Sequence, residues 1–184
     1  MNTNLTLSTC PDPLTRAPLA SHGNRRPHAR LHLAPPGLHG AVVAMLCRDT
    51  RGFELSDAQR LTHFPASPMV SLTWFQGVDA GRIEQTENGP EWRPFNSAIV
   101  LSGSHSYPTT CWAKTGGRVG MICFEADAAR ALFKINLSFV QDTIVDARKF
   151  LGSTWWTLLD ELLASDNDAA ALATLQRIAQ VRAM

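Results

Sequence analysis

The apolar pattern changes period near residue 125, and that change constrains the fold more than any other feature of the sequence. Upstream the text is strand-like. "AVVAMLCRDT" (41–50) is apolar enough for a buried strand. "PMVSLTWF" (68–75) alternates, with Val70, Leu72 and Trp74 pointing one way and Ser71, Thr73 and Phe75 the other. "SAIVLSG", "YPTTCWAK" and "RVGMICF" predict further strands, and the Gly/Pro-rich stretch 76–95 predicts hairpins and loops. Downstream the spacing becomes helical. "EADAARALFKI" aligns Ala128, Ala131, Leu132 and Ile135. "STWWTLLDELLA" aligns Trp155, Leu158, Leu159, Leu162 and Leu163 behind Ser153 as an N-cap. In 165–181, Leu172, Leu175, Ile178 and Ala179 form a stripe behind an acidic start. Strands first and helices last is an α+β order, not alternating βαβ.

Residues 1–29 differ from the rest. Four prolines, polar residues and a small basic cluster without periodicity predict a flexible N-terminal extension. Residues 30–184 are then one domain, with a β core over about 30–124 and a helical part over about 125–184. At 184 residues and a net charge of +1, the chain has no basic field for nucleic acid. Four cysteines without a CxxC pair argue against a zinc ribbon. No signal peptide and no membrane-length apolar run is seen, so the expected location is the cytoplasm, with reduced thiols.

Chemistry-bearing motifs are few. His28 and His32 have helical ligand spacing, but Pro27 and the polar tail argue against a helix there, and no carboxylate lies nearby in sequence. "SGSHS" (102–106) is not a Gly-x-Ser-x-Gly elbow and is better placed as a strand end and polar turn. "KTGGR" (114–118) joins two strands and is a hairpin turn rather than a phosphate loop. The histidines and Glu84, Glu87 and Glu91 share no ligand spacing, so no metal, no cofactor and no catalytic residue is assigned. "FPASP" (64–68) is a stiff elbow, because each proline fixes its own φ and holds the preceding residue extended. It delivers the chain into the Trp74 strand. A small β-barrel turning its aromatic residues inward would enclose an apolar pocket with a few polar groups. His63, Ser71, Thr73, Trp74, Phe95, His105, Thr110 and Trp112 are the candidate ligand-binding residues.

"CRDTRGFELSDAQRLTHFPASPMVSLTWFQG" (47–77) resembles the N-terminal region of AraC-type bacterial transcriptional regulators. The resemblance rests on Arg48 to Gly52, Gln59 to Leu61, Phe64 to Pro68 and Ser71 to Trp74. It continues through 101–133 and 150–181, roughly residues 31 to 182 in all. It departs at "LFKINLS" (132–138), and the helix-turn-helix DNA-binding half of such regulators is not seen. The resemblance implies a cupin-like antiparallel barrel or sandwich followed by two or three helices. It also implies an unknown small-molecule effector, a homodimer, and DNA contact only through a domain not present in this chain. The rival expectations are a small cupin-like metal-dependent enzyme and a ligand-free protein-interaction module.

Overall fold

The computed structural model describes residues 28–34 and 36–180. Along them lie ten strands: β1 (His28–Leu33), β2 (Val42–Asp49), β3 (Leu61–Phe64), β4 (Val70–Gln76), β5 (Ala80–Thr86), β6 (Gly89–Pro94), β7 (Ile99–Ser102), β8 (Thr109–Ala113), β9 (Arg118–Phe124) and β10 (Ile144–Asp146). Four helices accompany them: α1 (Ala126–Phe133), α2 (Ala147–Leu151), α3 (Trp156–Ala164) and α4 (Asp168–Gln180). The fold is α+β and mostly strand. The strands form two antiparallel sheets, one in the order β1-β2-β9-β4-β7-β10 and one in the order β3-β8-β5-β6. Among the described residues no ladder closes the two sheets into a barrel. A single bridge, Ser67 to His105, lies outside the named strands.

The alternation of β4 explains how the larger sheet is used. Val70, Leu72 and Trp74 are buried and belong to one core with Ile99, Leu101, Ile122 and Phe124 from the neighbouring strands. Helices cover that face. Phe133 of α1 packs edge-on to Phe124 at 5.3 Å and to Trp155 at 4.8 Å between ring centroids. Leu159 and Leu162 of α3 and Ala171 and Leu175 of α4 complete the layer. The expected α3 stripe is therefore core, with Leu158 and Leu163 at its margin. Gly120 makes room for Trp74: a Cβ there would lie 2.0 Å from Trp74 Cζ2. The wide indole needs a bare backbone opposite it.

Several boundaries differ from the sequence expectation. β1 begins at His28, inside the expected extension, because it pairs along its whole length with β2. Residues 1–27 lie outside the described residues. β10 falls in the expected helical part and closes the far edge of the larger sheet against β7. It is followed by the five-residue α2, whose Asp146 N-cap accepts from the Lys149 amide at 3.0 Å. Ser153 does not cap α3; it opens a 3-10 turn, and the N-cap residue is Trp155 without a side-chain bond. Among the described residues, no helix is long and apolar enough to cross a membrane.

Candidate functional site

Register sorts the candidate residues onto three surfaces. In a strand ladder, paired residues share a face. On the larger sheet, Ser71 pairs with Ser102 and with Cys123, and Thr73 pairs with Val100 and with Met121. These side chains lie opposite the helix layer, on the face toward the smaller sheet. Arg48 of β2 crosses the gap between the sheets, donating from Nη1 to Thr62 Oγ1 of β3 at 3.4 Å. Thr62 pairs with Cys111, and Cys111 pairs with Arg82, so those residues are on the inner face of the smaller sheet. Phe95 stacks on Phe75 at 5.6 Å, on the same side as Ser71 and Thr73.

Three candidates lie on the other face of the smaller sheet. His63 pairs with Thr110, and its Nδ1 is 3.3 Å from Thr110 Oγ1. Trp112 pairs with Leu61 on that same face and meets Trp92 edge-on at 5.8 Å. Trp74 points into the helix-side core and is 0% exposed. Its indole nitrogen has no hydrogen-bond partner among the described residues. His63, Thr110 and Trp112 are thus apart from Ser71, Thr73, Phe95 and His105, and Trp74 is apart from both groups.

His105 occupies the most site-like position. The "FPASP" elbow and the "SGSHS" turn run side by side, because the Ser67 and His105 backbones exchange two hydrogen bonds, each 2.9 Å. Between them is an open groove of about 320 Å³, lined by Ala66, Ser67, Pro68, Ser104, His105, Ser106 and Gln141. Gly103 lets the turn approach the loop before β10: a Cβ there would sit 1.9 Å from the Val140 carbonyl oxygen. Asp142, in the left-handed region at φ 55°, clamps the same turn. Its carboxylate accepts from the Ser106 amide at 2.6 Å and from the Ser106 hydroxyl. The Ser106 amide bond is the main reason its carboxyl is held below the ordinary range.

His105 Nε2 is 2.7 Å from Ser102 Oγ. Its Nδ1 is buried and has no partner among the described residues. Burial lowers the imidazole pKa, Asp142 opposes that shift and Arg82 adds to it, so the neutral ring is favoured more than in a free imidazole. A neutral ring has one N–H and one lone pair. With Nε2 engaged by Ser102, whichever of the two sits on Nδ1 is left unsatisfied. Within "SGSHS" the serine that meets the imidazole is Ser102, three residues away, rather than the adjacent Ser104. Nucleophilic catalysis would also need a group orienting Nδ1, and the Asp142 oxygens are engaged by Ser106.

A second polar cluster lies on the helix side. His32 of β1, Cys47 of β2 and Asp168 at the start of α4 bring their donor atoms within 4.8 Å of one another. His32 Nε2 is 2.9 Å from Asp168 Oδ2, and Arg118 Nη2 is 2.9 Å from Oδ1. Arg118 is 2% exposed and is further held by Gln76 Oε1 at 3.0 Å and by the Ser165 carbonyl. Arg30 approaches the same carboxylate from the surface at 3.5 Å. Burial, and then the Asp168 charge, push the Cys47 thiol up to about 12 against the opposing pull of Arg118. The carboxylate that sequence proximity did not supply to His32 arrives from 136 residues away. One sequence sign existed. In "RVGMICF", Arg118 falls on the same alternation as Ile122 and Phe124, and an inward arginine calls for a buried acceptor.

Comparison with protein-family models, with curated proteins and with solved structures finds no match to this chain.

Proposed function

We propose that the chain is the regulatory ligand-binding and dimerisation domain of an AraC-type transcriptional regulator, with a small polar effector seated in the groove beside His105. DNA contact then falls to a separate helix-turn-helix domain. The observation that carries the reading is a histidine with an unpaired buried nitrogen among the described residues, set in the wall of a groove of ligand size. The groove is on the order of ten water volumes. Its hydroxyl and amide side chains (Ser67, Ser104, Ser106 and Gln141) suit a hydrogen-bonding rather than a purely apolar guest. It sits where the larger sheet, through β7, meets the loop leading to β10 and the helices. Occupancy could therefore bias the helical layer, provided that the effector binds two arrangements of that loop with different affinity.

The missing orienting group on His105 favours binding over hydrolysis. The test is a thermal-shift screen of small polar metabolites, followed by calorimetry on any hit. The expected result is at least one compound that raises the melting temperature of the wild type, with the shift lost in His105→Ala and in Ala66→Trp, which fills the groove. No shift with any compound, or a shift that survives both substitutions, overturns the reading.

A further inference from the structure

A second site follows from the cluster beneath α4, and it does not depend on the effector reading. Three donor types come from three separate elements: an imidazole from edge strand β1, a thiol from β2, and a carboxylate from the first residue of α4. They lie around one point, with His32 and Asp168 half-buried and Cys47 buried. The remaining carboxylate oxygen is already fixed. Arg118 holds Oδ1 and is itself locked by Gln76 and Ser165, which leaves Oδ2 directed toward His32. An outer group that pins a ligand carboxylate in this way is a regular part of metal sites.

We propose that His32 Nε2, Cys47 Sγ and Asp168 Oδ2 bind one zinc-like divalent cation, with the fourth position taken by water. A mixed N, S and O donor set suits zinc, and hard cations such as magnesium or calcium do not favour a thiolate. Around a tetrahedral zinc the donor atoms lie about 3.3–3.5 Å apart, so the His32–Asp168 pair at 2.9 Å opens slightly and the Cys47 sulfur, within 4.8 Å of both, closes by at most about 1.5 Å. Binding exchanges one ion for one proton: the S–H bond of Cys47 breaks, the proton leaves to solvent and a sulfur–metal bond forms. The dication, the thiolate, the Asp168 carboxylate and the Arg118 guanidinium then sum to a single positive charge. Arg30, whose side chain is 62% exposed, can swing away into water. The ion would staple edge strand β1 to β2 and α4.

The experiment uses the full chain, stripped with a chelator and kept reduced. Titration with Co²⁺ should give a thiolate-to-cobalt charge-transfer band that saturates at one ion per chain and is displaced by Zn²⁺. Zn²⁺ alone should raise the melting temperature. Cys47→Ser should lose the band, and His32→Gln should bind at least tenfold more weakly. Cys111→Ser, on the other sheet, should keep it. Metal-free circular dichroism and melting of each variant separate loss of the site from loss of the fold. His32→Gln, half-exposed on an edge strand, serves if Cys47→Ser does not fold. No band in the wild type, or a band unchanged in both Cys47→Ser and His32→Gln, overturns the site. A failed effector screen would leave the cobalt result unaffected, so the two proposals fail separately.

Discussion

Burial alone would raise the carboxyl of Asp168, but hydrogen bonds from Arg118, His32 and Cys47 outweigh it and hold that carboxyl at about 2. Its side chain is 15% exposed, so solvent screens these contacts only in part. Because the folded value is below the ordinary 3.8, the stabilisation is complete above about pH 4 and disappears as the pH falls through about 2. A displacement of nearly two units corresponds to about 2 kcal/mol. Urea unfolding of metal-free wild type and Asp168→Asn at about pH 5.5 and about pH 2.5 should show this directly. The stability gap between the two proteins should narrow by about 1.5 kcal/mol at the lower pH, where part of the folded-state ionisation still survives. A gap that stays constant would mean that Asp168 contributes through packing alone. His105 behaves differently. Burial disfavours its charged form, and while Nε2 meets Ser102 its Nδ1 has no partner among the described residues, which fits a ring with hydrogen-bonding capacity to spare.

At the level of elements, the two prolines of "FPASP" set the path of the chain from β3 into β4 and form one lip of the groove. Pro65 and Pro68 are both exposed, so neither is held by packing, and their effect comes from restricting the backbone. Pro65→Ala should therefore cost about 0.5–1 kcal/mol, read as a lower urea midpoint, and leave the affinity for any groove ligand within about twofold. Lost ligand binding at unchanged stability would instead make the elbow part of the recognition surface. Elements were legible in the sequence where burial imposed a period. β4 has one face in the helix-side core and the other toward the second sheet, so its alternation is visible and its orientation follows. β10 and α2 were not legible, because three and five residues are too short to show a period. β1 was hidden for another reason. It is an edge strand whose Leu31 and Leu33 are 64% and 77% exposed, so its sequence carries no burial signal. Single members of the two polar clusters, His105 and the inward-facing Arg118, were visible in the sequence, but their carboxylate partners were not, because those are distant in sequence. Asp142 meets Ser106 and Asp168 meets His32 only after the sheets have formed.

For the whole molecule, the two sheets are unequal partners. The larger one is backed by a continuous core, with Val70, Leu101, Ile122, Phe124, Leu162 and Leu175 almost wholly removed from water. The strands of the smaller one carry just two large aliphatic side chains, Leu61 and Ile83, both buried, and its Trp92 and Trp112 remain half-exposed. Hydrogen-bonded sheets of such different burial need not open together, because local opening costs less where less apolar surface must be exposed. Native-state hydrogen exchange should therefore separate them. Amides of the central strands β9, β4 and β7 should exchange only on global unfolding. Those pairing β5 with β6 should exchange through a cheaper opening with weaker denaturant dependence. Equal protection in both sheets would mean that the Arg48–Thr62 contact and the Ser67–His105 bridge join them into one cooperative unit. That outcome also bears on the groove. If the sheets open separately, the elbow and the His105 turn lie at the seam between a rigid layer and a softer one. A ligand bridging them would then slow exchange in β3 and β8 more than in β4.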